Sequence, residues 1–201
     1  MKKIIKRTAL VLGVLLCYVL GCLLLPPAFR PEAREPVLLP GATGERGACI
    51  DDNVDALVWR LRMIESAKEE IVLATFGYGT GGSGRDILCA LHAAAERGVQ
   101  VRILLDGLHG SSTMSDSEEF QTLAALPNVE VRLYNEISVL RPWRANYRMH
   151  DKYLIVDHQM YMLGGRNTND LFLGDYTTTP NIDRDILVWG SGMSGSLGQL
   201  R

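Results

Sequence analysis

The chain has 201 residues, enough for one domain of ordinary size with an appendage. With 47% hydrophobic and 22% charged residues its composition is globular, which excludes a disordered chain and leaves material for a packed core. A formal net charge of -2 excludes a global basic field that gathers nucleic acid, although a local patch could still do so.

The N-terminus opens with Lys2, Lys3, Lys6 and Arg7, followed by an unbroken apolar run from Thr8 to Leu25 that ends at Pro26 and Pro27. As a helix, about 18 residues at roughly 1.5 Å each span about 27 Å, close to the apolar thickness of a bilayer. The basic flank argues against a buried helix of a soluble domain. It predicts an uncleaved signal anchor with the flank in the cytoplasm and the rest of the chain outside. Two alternatives are a lipoprotein signal cleaved before Cys22 and a conventional cleaved signal, for which no small-x-small site ends the run. Four cysteines make no disulfide framework. Cys17 and Cys22 lie in the apolar run, so a bridge within the body would have to join Cys49 and Cys89. No CxxC pair or Cys/His spacing points to a metal.

Residues 31–50, rich in Pro, Gly and mixed charge, read as a linker, with the folded body beginning near Asp51. Asp52 or Asn53 could cap a helix carrying Val54, Leu57, Val58, Leu61 and Ile64 on one face. EIVLATFGY, Glu70–Tyr78, reads as a buried strand, and Arg85–Arg97 as a helix stopped by Gly98. Strands over Val99–Leu105 and Val129–Tyr134 enclose a helix over Ser117–Leu126. Tyr153–Val156 and Met160–Leu163 form two strands around the turn Asp157-His158-Gln159, and Ile186–Trp189 is the last strand. Alternating strands and helices predict an α/β fold, a mixed or parallel sheet covered by helices.

Gly77, Gly79 and Gly82 satisfy GxGxxG between a strand and a helix, and Asp106 ends the next strand. A dinucleotide-binding module would use such a loop to hold pyrophosphate and such an acid to hold a ribose hydroxyl. The plainer alternative is that GTGGSG is an ordinary connection with glycines to spare.

His150 and Lys152 are two apart at the start of an extended segment and therefore project into one space. Asp157 has the opposite parity and braces rather than touches substrate. Gly164-Gly165 permits a close backbone approach, and Asn167 brings a neutral hydrogen-bond donor. These residue types suit phosphoryl chemistry. Lysine and asparagine meet the charge of a pentacoordinate phosphorus, while imidazole can attack and later leave. Such an imidazole needs a carboxylate on its other nitrogen, and Asp183 and Asp185 lie within reach by sequence. Neither metal nor cofactor enters this scheme.

His150, Lys152 and Asp157, followed by Gly164, Gly165 and Asn167, resemble the HxKx4D and GGxN motifs of the phospholipase D superfamily. The wording RMHDKYLIVD then GGRN, with RGVQVRILLDG upstream, is similar to its cardiolipin-synthase branch in bacteria. The resemblance implies a phospholipase D-like mixed sheet flanked by helices, one half of a pseudo-twofold fold, preceded by the N-terminal transmembrane helix. It implies catalytic roles for His150, Lys152, Asp157, Asn167 and Asp183: His150 as a transient phosphohistidine, Lys152 and Asn167 on phosphate oxygens, Asp157 as support, and Asp183, preferred to Asp185, behind the histidine.

Members of that family pair two such motifs, the second histidine protonating the leaving alcohol, and this sequence holds one. His92, His109 and His158 lack the accompanying Lys and Asp. The partner is either a second half following residue 201 or a second copy in a homodimer. The stretch GSGMSGSLGQLR, reading as a loop and an opening helix, favours the former. The expected division is a membrane segment at 1–30, a linker at 31–50, a catalytic half-domain at 51–190 and, at 191–201, the start of a connection. Arg141, Trp143, Arg144, Tyr147 and Arg148 form a basic, aromatic approach to His150. With the anchor, they predict membrane phospholipids as substrate and a single-pass protein of the bacterial cell membrane, its catalytic part outside the cytoplasm. A metal-independent endonuclease acting as a homodimer on nucleic acid is the alternative of the same chemistry.

Overall fold

A computed structural model describes residues 2–28, 44–136, 138, 140–190 and 196–199. Most of the expected linker and of the expected C-terminal connection lies outside these residues. Helix α1, Lys2–Ala28, carries the basic flank and the apolar run. Lys2–Leu24 contains an 18-residue window of mean hydropathy 2.2 that the rest of the chain leaves unburied, and is long and apolar enough to cross a membrane.

Strand β1, Arg46–Ile50, is followed by helix α2, Asn53–Ser66. Asp52 caps that helix, its carboxylate accepting from the N–H groups of Val54 at 2.8 Å and Asp55 at 3.0 Å. Then come β2, Glu70–Thr75, α3, Gly82–Glu96, and β3, Gln100–Asp106. Gly98, at φ 93°, makes the left-handed turn after α3. Helices α4, Gly107–Asp116, and α5, Glu118–Ala124, lead to β4, Val129–Tyr134. A 3-10 turn at Pro142–Asn146 precedes β5, Tyr153–Val156, β6, Met160–Gly164, and β7, Asp185–Trp189.

The seven strands form one sheet in the order β1-β7-β6-β5-β2-β3-β4. β2, β3 and β4 run parallel, and every other pairing is antiparallel. Parallel neighbours need long crossovers, and α3 and the α4–α5 pair supply them. The β5–β6 hairpin turns on Asp157 and His158, at φ 52° and 54°, the pair of positive values that a two-residue turn between twisted strands requires.

The core lies on one face of the sheet. Ile71 and Leu73 of β2, Val101, Ile103 and Leu105 of β3, Leu154 and Val156 of β5 and Met162 of β6 form one apolar cluster with the inner sides of α2, α3 and α5. The expected mixed sheet with helices is thus present, with these helices on one side. The other face carries the Arg102–Glu70 and Arg132–Glu130 ion pairs.

Two elements differ from the sequence-based expectation. The folded body begins at Arg46, because β1 gains its hydrogen bonds from β7, with Ile50 opposite Asp185. Helix α4 also appears where no helix was predicted. Asp106 caps it, and Gly110 brings it so close to Leu105 that an added Cβ would sit 2.5 Å from that side chain's Cβ. Cys49 and Cys89 are both free and exposed, so the bridge left open by the sequence does not form.

Candidate active site

β5 runs antiparallel to β2, with Tyr153 opposite Ala74, so the segment leading into β5 meets the carboxyl end of β2. His150 and Lys152 therefore lie beside Phe76, where the parallel strands end. Lys152 is buried at 4% exposure, its Nζ donating to the His150 carbonyl at 2.7 Å. The same ammonium stands 5.5 Å from the Phe76 ring, and the exposed His150 imidazole packs on that ring at 4.9 Å. Burial pushes the Lys152 ammonium below its ordinary value, opposed by the charges of Asp151 and Asp183. An ammonium held this way can meet an anion at this end of the sheet.

Asn167 reaches the same end of the sheet through a short pairing of two loops. Gly79 N–H donates to the Thr168 carbonyl at 2.8 Å, and Thr168 N–H to the Gly77 carbonyl at 3.1 Å. Gly77 N–H also donates to Asn167 Oδ1 at 3.1 Å. That bond occupies the acceptor end of the amide and leaves its NH2 group as a donor.

The same contacts dispose of the dinucleotide reading of Gly77–Gly82. Asp170 accepts from Gly82 N–H at 3.1 Å and from Ser83 N–H at 2.8 Å, so a carboxylate of the chain already holds the start of α3. The glycines are explained by close approach instead. A Cβ on Gly79 would lie 2.7 Å from that of Asn169, one on Gly81 would strike Asp170, and one on Gly82 the Tyr176 ring. Asp106, the proposed ribose acid, caps α4, forms an ion pair with Arg148 and accepts from Met149 N–H at 3.3 Å. It fixes the approach to His150 onto β3.

The glycines of GGRN have a parallel explanation. The Asp183 carboxylate fills the space beside Gly165, and that of Asp185 the space beside Gly164. Asp183 lies close enough to act on Lys152, and its Oδ1 accepts from Arg184 N–H at 2.7 Å. It makes no hydrogen bond to the His150 ring, which has no carboxylate on either nitrogen among the described residues. Asp185 is fully buried between Arg60 at 2.9 Å and Arg166 at 3.3 Å, a strut of the fold. Burial pushes the Arg60 guanidinium down and Asp185 holds it up.

Asp157 stands apart from the other four. It is at the opposite end of β5, accepting from the N–H groups of Lys68 and Glu69 at 2.8 Å and of Glu70 at 2.9 Å. It clamps the α2–β2 turn as a brace, away from the His150 end of the sheet. The basic, aromatic approach also divides. Arg148 turns inward to Asp106 and Arg144 to Asn135, while Arg141, Trp143 and Tyr147 remain exposed.

Sequence reasoning missed Phe76 and the placement of His109, whose ring packs edge-on against Phe76 at 4.5 Å. Neither carries a motif, and both become visible only when β2 and β3 are aligned. No cluster of three or more His, Cys, Asp or Glu side chains fit to hold a metal occurs among the described residues.

Residues 61–173 match the family described as "Cardiolipin synthase, PLD-like domain". Cardiolipin synthase C of Escherichia coli K12 is 33% identical over 166 residues, 76% of this chain and 34% of that protein. The chain therefore spans about a third of that relative's length. Among solved structures, NucT of Helicobacter pylori aligns with TM-score 0.59 at 20% identity, covering 78% of this chain and 91% of NucT. Phosphatidylserine synthase of Haemophilus influenzae aligns with TM-score 0.59 at 14% identity, covering 76% of this chain and 35% of that one. These two show the shared fold. The match over residues 61–173 covers more than half of the chain and contains the whole of HxKx4D and GGRN, and the chain belongs to the cardiolipin-synthase, phospholipase D-like family.

Proposed function

We propose that this chain is one half of a phosphatidyl-transferring site that works through a phosphohistidine on His150, with membrane phospholipids as substrate. The observation that carries this is the exposed His150 imidazole on the Phe76 ring beside the buried Lys152 ammonium, with the Asn167 amide held at the same end of the sheet by Gly77. A ring nitrogen of His150 attacks phosphorus, and the phosphorus–oxygen bond to the headgroup alcohol breaks. Lys152 and Asn167 meet the charge that builds on the phosphate oxygens. The departing alkoxide takes its proton from an acid on the partner half. Water or an acceptor alcohol then attacks phosphorus, gives its proton back to the deprotonated partner-half acid, breaks the phosphorus–nitrogen bond and frees His150. Water yields phosphatidic acid, and the hydroxyl of phosphatidylglycerol yields cardiolipin. Asp183 supports this charge through Lys152. The active part sits outside the cytoplasm, by the basic flank of α1.

The test uses the full chain with labelled phosphatidylglycerol, plasmid DNA and NAD in separate incubations. Phosphatidylglycerol is consumed, His150→Ala lowers its turnover by about a thousandfold or more, and a phosphatidyl adduct on His150 is recovered under alkaline conditions. Cleavage of DNA with lipid untouched would overturn the lipid assignment. Undiminished turnover by His150→Ala would overturn the chemistry.

A further inference from the structure

Prolines 26 and 27 end the apolar run of α1, and proline has no N–H. In an α-helix the carbonyls of Cys22 and Leu23 would accept from residues 26 and 27, so both are left without a helical partner. The structure supplies one from far along the chain. The Asn146 side-chain amide donates to both carbonyls, each at 3.2 Å. The end of the membrane-length helix is thereby latched to the 3-10 turn Pro142–Asn146.

That latch sets the height of the surrounding surface. The apolar run of α1 ends at Leu25, so Cys22 and Leu23 lie near the level where a spanning helix leaves the hydrocarbon. Around Asn146 are Leu140, 84% exposed, Trp143, Tyr147 and the exposed Arg141. Aromatic rings, a bare leucine and an arginine are the chemistry of a headgroup layer, where amphipathic rings settle and basic side chains meet anionic phosphates. His150 follows Asn146 by four residues, so at about 3.5 Å per residue its Cα is within about 14 Å of the latch.

We infer that Leu140–Tyr147 is a bilayer-contacting element, held by Asn146 against the end of α1, and that its partner is a leaflet rich in anionic phospholipid. The element presents the His150 end of the sheet to headgroups of the membrane in which the chain is anchored. The inference rests on α1 crossing a bilayer and not on the chemistry at His150.

Full-length protein is placed in nanodiscs of phosphatidylcholine with increasing phosphatidylglycerol, with brominated acyl chains as quenchers of tryptophan emission. Bromines near the headgroups quench a component that Trp143→Phe removes, and this quenching grows with phosphatidylglycerol. Arg141→Gln raises the phosphatidylglycerol fraction needed for half-quenching by about fivefold. Asn146→Ala reduces the quenching at least twofold, and Asn146→Gln, which keeps the amide, restores part of it. Circular dichroism confirms that each variant is folded. His150→Ala leaves the quenching unchanged, so a failure of the phosphodiesterase reading is told apart from a failure of this one. Emission that is unaltered by Trp143→Phe, equal quenching in both lipids, or a Trp143 response to DNA instead of lipid would each overturn the inference.

Discussion

Asp157 accepts three consecutive backbone N–H groups at the α2–β2 turn while holding a positive φ in the β5–β6 turn. Burial pushes its carboxyl up, but the N–H groups of Glu70, Glu69 and Lys68 and the neighbouring His158 outweigh that, and the net shift is downward. A carboxyl lowered in the folded state stabilises fully above the unfolded value, about 3.9, and that contribution is lost as pH falls through the lowered value. Asp157→Ala should cost about 2 kcal/mol, read from urea midpoints at pH 7, with a difference from the parent that shrinks below about pH 4. Activity per folded molecule stays within about twofold, the opposite of the His150→Ala outcome. Unchanged stability at pH 7 would refute the brace. The sequence did make Asp157 legible as support, because its strand parity opposes that of His150 and Lys152. It could not show which turn is braced, since Lys68–Glu70 lie far away in sequence.

At the scale of elements, the motif residues stand together because two glycine-bearing loops pair, and neither loop is intelligible alone. GxGxxG in Gly77–Gly82 matches a phosphate-binding pattern letter by letter, yet its spacing answers to Asn169, Asp170 and Tyr176. Gly79→Ala brings a Cβ within 2.7 Å of Asn169 Cβ, pushes the 167–169 segment away and carries Asn167 with it. The expected cost is about 1–3 kcal/mol of stability, with turnover down by about tenfold or more because the amide donor is misplaced. Adding Asn169→Gly removes the atom that is struck, so turnover recovers in part; equal turnover of the single variant and the parent would refute the account. The long apolar strands and the amphipathic α2 and α3 were readable from periodicity. Strand β1 and helix α4 were not. RGACI is short and lies in a Pro- and Gly-rich setting, and GLHGSSTMSD is made of weak helix formers, so each owes its form to tertiary partners.

Among the described residues, the folded body is a sheet with its apolar cluster and the helices α2 to α5 on one side, and a surface on which His150 lies open. Completion by a second motif, from a longer protein or from another copy, supplies the missing acid under the proposed mechanism. Purified chain should therefore show per-chain turnover that falls by about a hundredfold when dilution leaves only monomer, as followed by sedimentation alongside initial rates. Constant turnover in proven monomer would refute that requirement. The sheet also has a temporal consequence. β1 is the first strand made, yet its partner is β7, with Arg46 opposite Trp189. Until the last strand arrives, β1 has nothing to pair with, and the β2–β3–β4 unit can form without it. Closing so long a loop is a late, slow step, and β1 stays an unpaired edge strand until β7 has been made. Assembly of the sheet thus waits for β7, and β1 exposed before then is an open edge for unwanted strand pairing.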